Sequence, residues 1–319
     1  MSINQKSGQL PFVFGHRKDL HTIPTKSLSV EEKLHGGFAI DTRPGYGQIF
    51  YGMPGRGLLR VSTDLTTQDL IELPLDLTSV NFHSTQIGEF DGKTRMFLAA
   101  NDNNLVVVAT LEGDIDFILP KPDFEEYLKP ANTFHPTDTL LDGNRLLVAD
   151  GYGSNYISVA DLTKRRWLRC FGGHAKTSAE HGKYGTAHGI SRIPTGNFLA
   201  VADRPYSRLE ISTLNGDFMQ SFSLPSGCLP CGVDYIEWEN CLYAVVGSLD
   251  DPIKGRPAPI YILNANTYEV ISTIRPKEDL GVEPADHLHN VIWHKHNNML
   301  FLICQSWNPG HYFVLNHIC

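Results

Sequence analysis

A chain of 319 residues with 41% hydrophobic content carries enough apolar surface for a large buried core, and it holds no run near the roughly 18 apolar residues of a membrane span. The net charge of -8 comes from scattered acids, and the longest basic run is the "KRR" at Lys164 to Arg166, so neither nucleic acid nor a membrane surface is an expected partner. Six sparse cysteines predict reduced thiols instead of a disulfide framework, and the N-terminal residues lack the pattern of a secretory signal, so a cytoplasmic location is expected.

In chain order, a short strand is predicted within "LPFVFGHR", which begins at Leu10. After it, one pattern recurs: a ligand-type residue, a turn signal, then four apolar residues. His35 precedes "IFYG" at Ile49, His83 precedes "MFLA" at Met96, and His135 precedes "LLVA" at Leu146. His188 precedes "FLAV" at Phe198, Cys231 precedes "LYAV" at Leu242, and His289 precedes "LFLI" at Leu300. The connecting pieces "DGKT", "LDGN", "IPTGN" and "KHNN" are turn-rich, and alternating stretches such as "YISVADL" and "RLEIST" follow.

Each unit therefore reads as a small antiparallel sheet, and the interval of roughly fifty residues is that of a blade recurring around an axis. The expectation is an all-β fold: a six-bladed β-propeller of four-stranded antiparallel blades, formed as a single domain over residues 1–319. After "LFLICQS" the last unit has only "HYFVLNHIC", enough for a third strand. Because "LPFVFGHR" is similar to "WLRCFGGH" ahead of the fourth unit, the N-terminal strand near residues 10–15 is predicted to close the last blade.

In such a ring the innermost strands line a central channel, so residues at equivalent strand starts converge. Five histidines and a cysteine would face one space, and these are ligands that zinc, copper, iron and nickel prefer. A lone histidine at a strand start is more often a hydrogen-bonded structural residue. Alternate blades give two candidate metal sets by symmetry, one of His83, His188 and His289 and the other of His35, His135 and Cys231.

The stretch "RCFGGHAKTSAEHGKYGTAHGISRIPTGNFLAVADRPYSRLEI" resembles the NHL-repeat propellers nearly throughout, while the other five units match loosely. Within that group, roughly residues 130 to 305 resemble the peptidyl-hydroxyglycine alpha-amidating lyases, a zinc-dependent family. The resemblance selects His83, His188 and His289 as metal ligands, with zinc as the metal and His35, His135 and Cys231 as secondary candidates. It also implies that Tyr152, within Asp150-Gly151-Tyr152, and Arg204, after Asp203, act beside the metal, with Asp150 in the same catalytic group. A phenol near a cation can have its pKa lowered and move a proton, and a guanidinium can grip a carboxylate or oxyanion.

The chain departs from the family at Asn290, where an acidic residue is usual, at His287, where a methionine is usual, and at His135 and Cys231. These departures bear on the amidating substrate more than on the metal. Arg43 and Arg56 are the candidates for a further first-blade arginine of the family. Cys228-Leu-Pro-Cys231 is a weak redox signal, and the glycine-rich "GYGQIFYGMPGRG" lacks the context of a phosphate site.

The function expected is that of a metal-dependent lyase or hydrolase acting on a small oxygenated substrate. The alternatives are a lactonase-like propeller, which would prefer carboxylate and asparagine ligands to calcium, and a non-catalytic scaffold for a protein partner.

Overall fold

In a computed structural model describing residues 5–319, the apolar four-residue runs lie in the second strands of six sheets. They are apolar on both faces because each sheet is sandwiched between two others; every residue of Ile49–Met53 is buried, as are the last four of Arg145–Ala149. The six sheets are antiparallel blades of a β-propeller, and their inner strands are Ala39–Ile40, Phe82–Phe90, Asp138–Asp142, Ala187–Ile193, Asp234–Trp238 and Leu288–His296. These define blades one to six.

The core is divided among the blade interfaces. Between blades two and three, for example, Phe97, Val106 and Val108 pack against Leu146, Val148 and Ala160, all excluded from water. Between blades five and six, Val245, Ile260 and Ile262 meet Trp293 and Leu302. The axis itself is left as a cavity of about 550 Å³ lined by inner-strand residues.

Blade six is assembled from both ends of the chain. Its inner strand Leu288–His296 is followed by Met299–Ser306 and His311–His317, and Phe12–His16 pairs antiparallel to the last of these, placing Phe14 opposite His317. The predicted ring closure is therefore present, with Phe12 and Phe14 fully buried against Trp293 and Phe313. The fold adds an unpredicted fifth strand, Ser7–Gln9, outside it. The chain then crosses from blade six to blade one through residues 17–38, a strap with short helical turns at Lys18–Leu20, Thr25–Leu28 and Glu31–Lys33. Among the described residues no helix is long and apolar enough to cross a membrane.

A threefold alternation runs around the ring. In blades two, four and six the first two strands slip register by one residue, between Phe82 and Ser84, between Ala187 and Gly189, and between Leu288 and Asn290. The inner strands of blades one, three and five pair with their neighbours without such a slip. The extra residue at the three bulges is His83, His188 and His289. A bulge leaves its residue out of the ladder and turns the side chain, a device that recurs beside active sites.

Candidate metal centre

The three bulged histidines meet on the axis. Their ring centroids are 4.6 Å (His83 to His289), 4.8 Å (His83 to His188) and 5.0 Å (His188 to His289) apart, and each residue is about 2% exposed. His83 Nδ1 donates to the Thr137 carbonyl at 2.7 Å, and His188 Nδ1 donates to the Cys231 carbonyl. Both acceptors precede the inner strand of the next blade. With the proton fixed on Nδ1, each ring presents its Nε2 lone pair to the axis, that of His188 facing the Tyr152 hydroxyl at 3.0 Å.

His188 carries this arrangement in its local sequence. The glycine after it is required by close approach: a Cβ at Gly189 would lie 2.6 Å from the Cys231 oxygen and 2.7 Å from Gly232 Cα. The "AHGI" signature thus serves a bulge pressed against the neighbouring blade.

His289 breaks the symmetry. Its Nε2 lies 3.1 Å from His83 Nε2, while its buried Nδ1 has no partner among the described residues. Two ligand atoms at the usual zinc distance and a tetrahedral angle are about 3.4 Å apart, so the His83 and His289 nitrogens already have the spacing of neighbours on one ion. Burial holds all three imidazoles well below the ordinary histidine range, with the neighbouring histidines and Arg204 acting in the same direction. They are therefore neutral near pH 7, the form a metal binds. The donor set, its tautomers and the orphaned nitrogen fit a zinc-type cation.

His35, expected in the alternative set, belongs with the first one. One ligand atom each from His35, His83 and His289 lie within 4.8 Å of one another. His35 reaches them from the strap, four residues ahead of the two-residue inner strand of blade one, and Asn81 is 3.2 Å from its Nδ1. The alternative set is not assembled: the His135 Nδ1 donates to the Asn101 carbonyl at 3.0 Å, and His135 makes none of the ring contacts that join the other four histidines.

Cys231 stands beside the centre. Its Sγ accepts from Arg204 Nη2 at 3.2 Å and lies 3.3 Å from the Leu288 carbonyl. Burial raises its pKa, outweighing Arg204, so in the protein's own field the group is a thiol at neutral pH.

Tyr152 and Arg204 do reach the ring from the loops after the second strands of blades three and four. The Tyr152 hydroxyl is 3.0 Å from His188 Nε2, which it faces as donor, and Arg204 Nη1 donates to the same hydroxyl at 3.1 Å. Burial raises the phenol pKa and Arg204 offsets this only in part, so the lowering expected for Tyr152 does not arise from the protein's own charges. Arg204 has no carboxylate partner among the described residues, and its buried Nε is unpaired. Asp203 pairs instead with Arg208 at 2.9 Å and accepts from the backbone of Gly185 and Thr186.

Asp150 is corrected in role. Its two carboxylate oxygens accept from the His135 and Ser154 backbone N–H groups and from the Tyr127 hydroxyl, all within 2.9 Å. Burial, only partly opposed by these donors, pushes its pKa up to about 6. It shapes the turn that carries Tyr152 and has no contact with the histidine rings. Of the two further arginines considered, Arg43 pairs with Asp41 and Arg56 donates to the Lys26 carbonyl, so neither is at the centre.

Sequence reasoning missed two carboxylates below the ring. Asp138 accepts from the backbone of Ile190 and Thr139 and from Ser84 Oγ, joining blades two, three and four, while Asp234 accepts from Trp293 N at 2.8 Å. Burial pushes both up to about 6. Each lies three residues after a ring position, at His135 and Cys231, which is the only signal the sequence offered.

No protein-family profile matches the sequence, and no curated protein matches it significantly. Among solved structures, the chain is similar to a gluconolactonase from Xanthomonas campestris, with 11% identity, coverage of 89% of this chain and 86% of that one, and a TM-score of 0.59. It is similar to streptogramin B lyase at 10% identity, with 98% of each chain covered and a TM-score of 0.56. It also matches the β-propeller domain of Cps50 (Swd1) from Myceliophteria thermophila at 11% identity, covering 88% and 82%, with a TM-score of 0.54. At such identities these likenesses establish the propeller fold alone.

Proposed function

We propose that the protein is a metal-dependent lyase or hydrolase whose ion, zinc the best fit, is held by His83, His188 and His289, with His35 as a fourth donor. The observation that carries this reading is the bulge repeated in alternate blades, which goes with three neutral imidazole rings 4.6 to 5.0 Å apart at the axis. The closest set of ligand atoms there comes from His35, His83 and His289. When bound, such an ion would polarise a hydroxyl or carbonyl oxygen of the substrate.

The chain's own groups define the rest. Arg204 is a half-buried cation without a carboxylate partner among the described residues, so the substrate class it fits carries a carboxylate or develops an oxyanion. Tyr152, protonated and held by Arg204, is placed to deliver a proton at its hydroxyl. The His35 ring stacks 6.4 Å from that of Tyr152 and lies tilted 5.6 Å from that of Trp307, so two aromatic rings flank it at the centre.

Gluconolactonase and streptogramin B lyase among the structural neighbours are consistent with hydrolase or lyase chemistry on this fold. A lactonase site built on calcium is less well served, because Asp138 and Asp234 already accept backbone and hydroxyl hydrogens. A scaffold role accounts for the inter-blade hydrogen bonds of His83 and His188 but gives no reason for the orphaned Nδ1 of His289 or for Arg204 lacking a carboxylate partner among the described residues.

The test compares transition-metal content and turnover of small hydroxy-amides and lactones in the wild type, His83→Ala and Tyr152→Phe. The expected result is loss of about one equivalent in His83→Ala. Tyr152→Phe keeps its metal and loses a factor of about 10² to 10⁴ in kcat. Equal metal content in the wild type and His83→Ala would end the metalloenzyme reading.

A further inference from the structure

We infer that His21, Glu31 and His311 form a second site for a divalent transition metal ion, zinc the best fit, at the seam where the strap joins blade six to blade one. This site is independent of the axial histidines. One nitrogen of His21, one of His311 and one carboxylate oxygen of Glu31 lie within 4.8 Å of one another.

Glu31 Oε1 is 3.1 Å from His21 Nε2 and 2.7 Å from His311 Nδ1, and the two imidazole rings are 4.5 Å apart. Burial raises the Glu31 carboxyl, but His21 and His311 at these distances outweigh it and hold it down to about 2, so it is a carboxylate facing both rings. Three atoms able to bind a metal therefore converge within the reach of one ion. Two imidazole nitrogens and one carboxylate in that relation are the His₂Glu set that zinc accepts, with ligand distances near 2.0 to 2.2 Å.

The side chains are 17–26% exposed, so an ion can reach them from solvent. Another unused nitrogen lies nearby: His16 has a buried, unpartnered Nδ1 and flanks the cluster across Phe313, whose ring is 6.2 Å from His16 and 6.4 Å from His311.

The position gives the ion a structural role. His21 follows the first turn of the strap, Glu31 opens its last turn, and His311 begins the third strand of blade six. The backbone already ties these pieces, since Arg17 N donates to the Val314 carbonyl and Gly310 N to the Glu32 carbonyl, each at 2.9 Å. An ion bridging His21, Glu31 and His311 clamps the strap to the strand it crosses, next to the ring closure.

Chelator-stripped wild type and Glu31→Gln, which keeps the side-chain shape, are titrated with zinc against a chromophoric competitor and melted with and without zinc. The expected result is one equivalent fewer in Glu31→Gln, whatever the axial centre holds. At a free zinc concentration a hundred times the dissociation constant, occupancy of the site raises the folded-to-unfolded ratio about a hundredfold in the wild type. That increment, read as a higher Tm, is absent from Glu31→Gln. His21→Gln, which leaves the carboxylate in place, gives the same loss and covers the case in which Glu31→Gln folds poorly. Equal zinc stoichiometry in wild type and His21→Gln overturns the site, as does a zinc-dependent Tm rise of the same size in both.

Discussion

Replacing Asp138 and Asp234 by asparagine should flatten the dependence of stability on pH. Both carboxylates are held under the histidine ring with folded pKa values pushed up to about 6, from a starting value of 3.8. A carboxyl whose folded pKa is raised binds its proton more tightly when folded, so its contribution is fully present below the unfolded pKa and is lost as pH rises through the folded one. The window therefore runs from about pH 4 to pH 6, in the opposite sense to an ion-paired carboxylate. A shift of about two units corresponds to about 3 kcal/mol per residue, a ceiling because the channel admits water, and roughly 1.3 kcal/mol of it falls between pH 5 and 7. Urea denaturation at a series of pH values, followed by tryptophan fluorescence, reads this directly. The double variant should lose less stability than the wild type between pH 5 and 7 by about 1 to 3 kcal/mol, whatever the offset in absolute stability. Parallel curves would show that the two carboxylates are hydrated enough to titrate normally, and would refute the reasoning.

Two further outcomes follow from burial and charge. Arg208 is 4% exposed and faces Asp203 and Glu210 at 2.9 and 3.0 Å, so Arg208→Met strands two buried carboxylates and should cost about 3–5 kcal/mol. A lower urea midpoint with an unchanged slope would register it, and a loss under 1 kcal/mol would contradict the burial of the pair. In native protein at pH 8, a thiol reagent should label Cys241 and Cys319 rapidly. The other four cysteines, whose pKa values burial raises, should label only after denaturation. Rapid labelling of Cys231 would mean that Arg204 holds it as a thiolate.

The legible parts of the sequence were those written in local pattern. Continuous apolar runs marked the second strands because a blade shields both faces of its middle, and the likeness of "LPFVFGHR" to "WLRCFGGH" placed the closing strand. His83, His188 and His289 stood out through the interval between blades. What put them on the axis, a one-residue slip in alternate blades, has no signature at His83 or His289, since a bulge is decided by what the neighbouring strand needs. His35 reaches the ring from the strap, where no repeat applies, so the interval between blades does not show that it clusters with His83 and His289. Asp150 was misread for a different reason: the Val-Ala-Asp ending looks the same whether its carboxylate faces a ligand or, as here, caps the following loop. The His21, Glu31 and His311 cluster was invisible because its members come from the two ends of the chain.

Blade six also dictates an order of events during synthesis. Phe14 must wait for His317, about 300 residues later, and closing so long a loop costs on the order of 5 kcal/mol beyond a fixed term. That pairing is among the last the chain can make, after the hairpins within blades one to five have had the chance to form. Until that pairing forms, the outer edge of blade six is unpaired, a surface open to pairing with another chain. The pairing of Phe12–His16 with His311–His317 thus decides whether the molecule is a closed ring or a template for association.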